Sequence, residues 1–188
     1  RLTLAEAVDL ARAAGRTDLM RHEKRSQLPG RSFPNGAHLC EVEIDPETGA
    51  LSLEKYLAFD DFGNLMHPVM VQGQVHGGVA QGFGQAVCEA AAFDKQGQLL
   101  TGSFMDYAMP RATDLPMIGF ENLPTPSPNN PMGMKGCGEA GTVGAIAAIA
   151  NAALDALWPE GVRDIDMPLT PLRIWTALRN AVPGGPAA

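Results

Sequence analysis

The chain has few cysteines, no surplus of basic residues and no long apolar run, and each shortage excludes a class of protein. Its 188 residues include three widely spaced cysteines, an odd number that fits a reducing compartment better than a disulfide framework. Fourteen Lys and Arg against 21 Asp and Glu give a net charge of -7, which disfavours nucleic acid or an anionic membrane as a partner. Without a signal-peptide pattern or an apolar run near the roughly 20 residues of a membrane span, we expect a cytoplasmic protein.

Several catalytic and binding motifs are absent as well. No serine stands in a G-x-S-x-G elbow, so hydrolase chemistry has no support. No cysteine pair has zinc or iron–sulfur spacing, and His67 and His76 lack a partner four residues away, which favours structural roles over metal ligation. Asp60 and Asp61 are adjacent on a predicted strand and point to opposite faces, which favours a strand-end turn over paired acid–base carboxylates. The sequence predicts no metal ion held directly by side chains.

The composition is that of a compact globular protein, with 45% apolar and 19% charged residues. We predict a single domain over residues 1–183, in which residues 1–31 form a peripheral helix (Leu4–Ala14) and a surface connection. Residues 184–188 are predicted to be a disordered tail. Because the chain opens at Arg1 instead of methionine, we expect a fragment or a processed product.

The hydrophobic periodicity predicts an α+β fold. Alternating residues from Ala37 to Asp45 and a second run from Leu51 to Asp61 flank the turn sequence P-E-T-G, which predicts a hairpin. Apolar residues recur every four positions after Pro68, which predicts a helix. A further strand is predicted near 117–123, and a last helix near Pro171.

The helix predicted from Pro68 is unusually rich in glycine. It carries five glycines between Gly73 and Gly84, each costing roughly 1 kcal/mol relative to alanine. Either another backbone or a flat ligand packs closely against this helix, because no Cβ then intervenes. A buried glutamine amide could also bind a pterin-like heterocycle, since it donates and accepts at once, although exposed glutamines would give the same pattern. Four glutamines lie on this segment: Gln72, Gln74, Gln81 and Gln85.

The loop from Pro131 to Thr142, P-M-G-M-K-G-C-G-E-A-G-T, carries the strongest chemical signal. It precedes an alanine-rich helix that we expect to be capped by Thr142 and, because it is small and apolar almost all round, to be buried. Glu139 near the positive end of that helix would stay ionised and could act as a base or face a metal. From spacing alone, a plain strand-to-helix turn is equally favoured.

The glycines of this loop only partly match known phosphate-binding patterns. Lys135 precedes the last glycines, whereas the P-loop requires a lysine after them. Gly136, Gly138 and Gly141 have the G-x-G-x-x-G spacing, but they follow prolines instead of an apolar strand. A nucleotide site is therefore poorly supported.

Five motifs, taken in chain order, closely resemble one family. They are S-F-P-N-G-A-H-L-C-E-V-E-I-D-P-E-T-G, D-D-F-G-N, G-Q-V-H-G-G-V-A-Q-G-F-G-Q-A, G-S-F-M-D-Y-A-M-P and T-P-S-P-N-N-P-M-G-M-K-G-C-G-E-A-G-T. From about Ser32 to about Leu178 the chain resembles the C-terminal part of the molybdopterin-binding large subunit of the molybdenum hydroxylases. This family includes xanthine oxidase, aldehyde oxidase and aerobic carbon monoxide dehydrogenase, and the pattern is most similar to carbon monoxide dehydrogenase-like large subunits. Serial agreement of this kind is more specific than one glycine loop.

The resemblance implies roles for individual residues. Glu139 resembles the family's catalytic glutamate, which acts as a base toward a hydroxyl on molybdenum. Gln74 resembles the glutamine that hydrogen-bonds molybdopterin, and Lys135, Gly136 and Gly138 fall in the cofactor-binding loop. The implied cofactor is molybdopterin with molybdenum, in the cytosine dinucleotide form. The implied substrate is an aldehyde, an N-heterocycle or carbon monoxide.

The resemblance also implies that much of the enzyme lies on other chains. The family's large subunit is several hundred residues longer, so we expect an excised domain or one piece of a split subunit, inactive alone. The implied partners are the remainder of the molybdopterin-binding subunit, an iron–sulfur subunit carrying the clusters and a flavin subunit carrying FAD. The alternative is a non-catalytic assembly domain that keeps the fold. The lysine, glycines and glutamate of the loop favour the oxidoreductase.

Overall fold

The computed structural model describes residues 2–21 and 23–181, which fall into two compact units, Arg1–Arg31 and Ser32–Ala188. In the first unit, helix α1 (Leu4–Ala13) has a capping box in which the Thr3 and Glu6 side chains each accept the other's backbone N–H. A short 3₁₀ turn follows at Thr17–Met20. The helix predicted at Leu4 is present and ends at Ala13, and its peripheral placement stays a prediction. The single domain over 1–183 stays a prediction, and the predicted tail lies outside the described residues.

The second unit contains a three-stranded sheet in the order β1-β2-β3. Strands β1 (Asn35–Ile44) and β2 (Leu51–Asp61) pair antiparallel, and β3 (Ile118–Asn122) pairs parallel with β2. The β1–β2 turn closes at Gly49, whose φ of 73° is the left-handed conformation that glycine adopts without strain. The predicted hairpin and third strand are confirmed.

Three helices accompany the sheet: α2 (Pro68–Phe83), α3 (Ala140–Leu157) and α4 (Pro171–Asn180). Helix α2 begins at the predicted proline and ends in one π-helical turn at Gly84–Cys88. His67 caps α2 by accepting a 3.2 Å hydrogen bond from Met70 N, which confirms its structural role. The α+β class is confirmed, with helices packed on a small sheet.

Helix α3 differs from its prediction at its start and in its burial. It begins at Ala140, two residues before the expected cap, and the Thr142 hydroxyl instead donates to Gln81 Oε1 at 3.3 Å. The cap prediction was wrong. So was the expectation of burial all round, because Val143 is 67% exposed. The buried residues form a single stripe: Gly141, Ala145, Ile149, Ala153 and Leu157.

The same helix shows that the expectation of no apolar run near membrane-spanning length was wrong. The helical stretch Ala140–Glu160 is long and apolar enough by length and composition, with a mean hydropathy of 1.5. The core helix of a globular domain can have the same length and apolar composition. Ala145 and Ile149 pack in one cluster with β2 and α2, which is the placement of such a core helix.

Backbone packing accounts for some of the glycines of α2. A Cβ on Gly78 would lie 2.9 Å from Thr142 N, and one on Gly82 would lie 2.6 Å from Ala145 Cβ. From the other side, a Cβ on Gly141 would lie 2.5 Å from Val75 O. The crossing of α2 and α3 therefore requires glycine, which confirms the backbone alternative for this part of α2.

Candidate functional site

Glu139 lies at the N-cap position of α3, the position that the sequence predicted for Thr142. Its side chain makes no capping hydrogen bond, its residue is exposed, and its backbone carbonyl accepts from Val143 N at 3.0 Å. A charged, exposed acceptor that takes no part in capping its own helix is available to a ligand.

Gln74 meets this loop from α2. Its Nε2 donates to the backbone oxygen of Gly138 at 3.0 Å, directly before Glu139 in the chain. Gln81, further along the same helix, accepts from Thr142 in the first turn of α3. The structure thus brings Gln74 and Gly138 together, although it places this glutamine in contact with protein and not in a buried amide pocket.

Lys135 fixes the other end of the loop. Its Nζ donates to Asp61 Oδ2 at 2.6 Å, and the two side chains are only 10% and 9% exposed. Burial alone would raise the pKa of Asp61, but hydrogen bonds from Lys135, Thr125 N and Gly63 N outweigh it and hold that pKa well below its usual value. A direct cofactor contact of Lys135 stays a prediction, since its ammonium is engaged with Asp61.

Four glycines around the loop face open space. A Cβ built on Gly136 or Gly138 would have no atom of another segment within 4 Å, and the same holds for Gly73 and Gly77 on α2. These four positions are therefore not explained by the packing that accounts for Gly78. A group of low steric bulk could approach the backbone at each of them.

Sequence reasoning missed a buried polar group beside this loop. His38 Nδ1 and the Tyr56 hydroxyl share a 2.7 Å hydrogen bond, and His38 Nε2 lies 3.3 Å from Asp60 Oδ1. His38 and Asp60 are 4% and 3% exposed. Burial raises the pKa of Tyr56, which keeps its hydroxyl protonated. Strand alternation was the available signal, because it puts His38 on the same face as the apolar Cys40 and Val42.

Asp60 and Asp61 turn in different directions, as expected of neighbours on a strand. Asp60 contacts His38, whereas Asp61 accepts from Gly63 N at 2.9 Å in the predicted strand-end turn and also contacts Lys135. Among the described residues, Asp60 Oδ2 and His76 Nε2 are buried without a hydrogen-bond partner. The structural role predicted for His76 therefore stays a prediction.

Glu139, His38 and Asp60 line one cleft of about 460 Å³. The start of β1 forms one wall, and α3 forms the other through residues such as Val143 and Ala147. The larger cleft of about 920 Å³ is lined by residues 104–110 of the G-S-F-M-D-Y-A-M-P segment, but by none of the predicted site residues. In the part of the chain that the structure describes, no three His, Cys, Asp or Glu side chains are grouped to hold a metal ion.

Comparison with known proteins gives the same family at the levels of sequence and structure. Residues 3–116 match the family model described as the molybdopterin cofactor-binding domain. The chain is 38% identical to the carbon monoxide dehydrogenase large chain of Hydrogenophaga pseudoflava over 152 residues, 81% of this chain and 19% of that protein. It is 39% identical to the nicotine 6-hydroxylase large subunit of Paenarthrobacter nicotinovorans over 150 residues, 80% of this chain and 18% of that protein.

Solved structures agree with this similarity. Quinoline 2-oxidoreductase from Pseudomonas putida 86 superimposes with a TM-score of 0.77 at 40% identity, covering 79% of this chain and 19% of that one. Reconstituted CO dehydrogenase from Oligotropha carboxidovorans gives a TM-score of 0.76 at 36% identity, covering 79% and 18%. The chain spans less than a fifth of the length of these relatives, which are covered to 18–19%.

Proposed function

We infer that this chain, which belongs to the molybdopterin cofactor-binding domain family of molybdenum oxidoreductases, is the C-terminal part of a molybdenum hydroxylase large subunit. In that subunit it would supply the catalytic base. The observation that carries this proposal is the Glu139 carboxylate. It is exposed at the N-terminus of α3, makes no capping bond, and directly follows the Gly138 carbonyl held by Gln74. This is the placement that a base facing a bound group needs.

The residues present fit molybdopterin along the exposed side of α2 and the loop. Gly73 and Gly77 leave the backbone of α2 open, and Gly136 and Gly138 do the same in the loop. Gln74 donates one N–H to the Gly138 oxygen. Its second N–H and its side-chain oxygen are a donor and an acceptor suited to a pterin edge. Bound molybdopterin would supply the two-electron redox chemistry of the reaction through its molybdenum.

The task of this chain is then to hold and move one proton. Glu139 would accept a proton at a carboxylate oxygen from the hydroxyl that attacks the substrate carbon. Gln74 would keep the preceding peptide, and hence the carboxylate, in one orientation through its bond to Gly138.

The complete activity requires further protein. We infer that the partners are the remainder of the molybdopterin-binding subunit, an iron–sulfur subunit and a flavin subunit with FAD. In support, one relative is described as subunit gamma of the 6-hydroxypseudooxynicotine dehydrogenase complex of Paenarthrobacter nicotinovorans. We further propose the cytosine dinucleotide form of the cofactor, a cytoplasmic location, and an aldehyde, an N-heterocycle or carbon monoxide as the substrate. The chain alone would be inactive because it spans so little of its relatives.

The alternative is a fold-retaining assembly domain without turnover. Molybdenum and pterin analysis of the complex purified with its partner chains separates the two. We expect stoichiometric molybdenum and pterin with substrate-dependent reduction of an electron acceptor. A complex that assembles with this chain but contains neither would support the assembly domain.

Replacing Gln74 with alanine in the complete enzyme is expected to lower its molybdenum content about tenfold, the loss that corresponds to one or two hydrogen bonds at the cofactor. Metal analysis after gel filtration measures it. Gln96→Ala is the control, because Gln96 is an exposed glutamine in the turn after Asp94, outside this helix. Unchanged molybdenum in the Gln74 variant would contradict a cofactor role.

A further inference from the structure

We propose that Asp61 and Lys135 form a positioning pair that fixes the start of the loop Gly133–Gly141 and thereby holds Glu139 in place. Its consequence for turnover rests on the proposed function, whereas its consequence for loop order does not. The pair joins residues 74 positions apart in the chain. Asp61 ends β2, and Lys135 lies four residues before Glu139.

Asp61 connects three segments through its two carboxylate oxygens. Oδ1 accepts from Gly63 N in the turn after β2 and from Thr125 N in the proline-rich bend, each at 2.9 Å. Oδ2 accepts from Lys135 Nζ at 2.6 Å. One buried carboxylate therefore ties the strand end, the bend and the loop together, and the charged pair is nearly removed from water.

Backbone hydrogen bonds around the pair hold the same part of the loop. Lys135 N donates to Phe62 O at 2.8 Å. The Gly133 oxygen accepts from both Asn64 N and Ser127 N, each at 3.0 Å. The loop is thus anchored at its start by β2 and at Gly138 by Gln74. Glu139 follows the second anchor directly, so its position depends on both.

The energetics of a buried ion pair make this anchor sensitive to single substitutions. Removing one partner leaves an uncompensated charge in a site that excludes water, which is far more costly than losing an exposed pair. Lys55 and Glu41 form such an exposed pair at 3.5 Å, with side chains 66% and 67% exposed. Exposed pairs contribute little. Lys55→Met is therefore the matched control for Lys135→Met.

Four variants of the chain separate charge pairing from the other bonds of Asp61. Asp61→Asn keeps an acceptor for Gly63 N and Thr125 N while removing the charge that faces Lys135. Lys135→Met removes the ammonium and keeps the apolar stem. Asp61→Asn/Lys135→Met removes both charges at once, and Lys135→Arg retains a cation.

Amide hydrogen exchange of these variants, resolved by peptide, tests the pair without cofactor or activity. We expect exchange in residues 133–139 to accelerate at least about tenfold in each single-charge variant, with the β1–β2 hairpin unchanged and Lys135→Arg and Lys55→Met close to wild type. The double variant should recover part of the protection. Unchanged exchange in residues 133–139 would overturn the proposal, and so would equal acceleration in the hairpin, because that marks general unfolding.

Turnover of the complete enzyme gives the second readout. Lys135→Met is expected to lower kcat at least about tenfold with KM and molybdenum content unchanged, because a misplaced base affects the transition state more than binding. Lys135→Arg should restore most of it. Equal kcat in Lys135→Met and wild type would refute the positioning role. If Glu139→Gln retains turnover, the proposed function fails, and the exchange experiment still decides the pair.

Discussion

Replacing Glu139 with glutamine is expected to lower kcat of the complete enzyme at least about a hundredfold, the size of effect that loss of a general base produces. The amide has nearly the same shape but cannot accept the proton. Because the carboxylate is exposed and makes no capping bond, its removal breaks no described contact of the fold. The effect should therefore fall on the chemical step and leave assembly intact.

Steady-state kinetics and molybdenum analysis on the same preparation check this expectation. Molybdenum content should equal that of wild type, and the melting temperature should change little, since one charge at a helix N-terminus contributes about 0.3–1 kcal/mol. Glu160→Gln is the control, because Glu160 is an exposed glutamate beyond the opposite end of α3. Near wild-type turnover of the Glu139 variant would remove this residue from catalysis.

Local patterns predicted the elements that position this glutamate. Alternation together with the turn sequence P-E-T-G predicted the hairpin, and the proline at 68 predicted the start of α2. Both follow from interactions within a few residues, where sequence is informative. The predicted start of α3 was wrong because the Thr142 side chain bonds to Gln81, 61 residues away. No local sequence pattern contains such a partner. Its exposed side was also unpredictable from composition, since an apolar helix gives no sign of which stripe will be covered.

The site could be predicted only in part, because its residue pairs join segments that are far apart in the sequence. The sequence indicated that Asp60 and Asp61 point apart, but the partners on the two sides, His38 and Lys135, depend on how β1 and the loop reach the end of β2. The roles of Glu139 and Gln74 came from family resemblance. The structure adds that Gln74 contacts Gly138, a contact that joins two motifs 64 residues apart.

The glycines of α2 show what structure can separate and sequence cannot. Both alternatives, a second backbone and a flat ligand, predict glycine. The structure assigns Gly78 and Gly82 to the crossing with α3, because a Cβ at either would contact Thr142 or Ala145. Gly73 and Gly77 have open space instead. The two explanations therefore make opposite predictions for substitution on the same helix.

Gly141→Ala, on the α3 side of that crossing, is expected to destabilise the fold by about 1–3 kcal/mol, the range found for overpacked cores. The new Cβ would lie 2.5 Å from Val75 O and 3.1 Å from Gly78 Cα, so α2 and α3 must move apart. Chemical unfolding measures the loss. Cys40 gives a second signal, because its Sγ donates to Ala148 O of α3 and burial raises its pKa to about 11. The thiol should alkylate slowly at pH 8 in wild type and faster in the variant.

Gly77→Ala tests the opposite case, a glycine beside open space. It therefore distinguishes helix packing from ligand binding as the reason for glycine. With no atom of another segment within 4 Å of the new methyl group, alanine should stabilise the chain by roughly 0.5–1 kcal/mol through its higher helix propensity. In the complete enzyme the same methyl group enters the face where we place the cofactor, so molybdenum content should fall while the chain itself is more stable. Destabilisation of the isolated chain would show that this face is packed. Full molybdenum content would show that the cofactor does not bind against Gly77 and would leave that glycine unexplained, since a Cβ there meets no atom of another segment within the described residues.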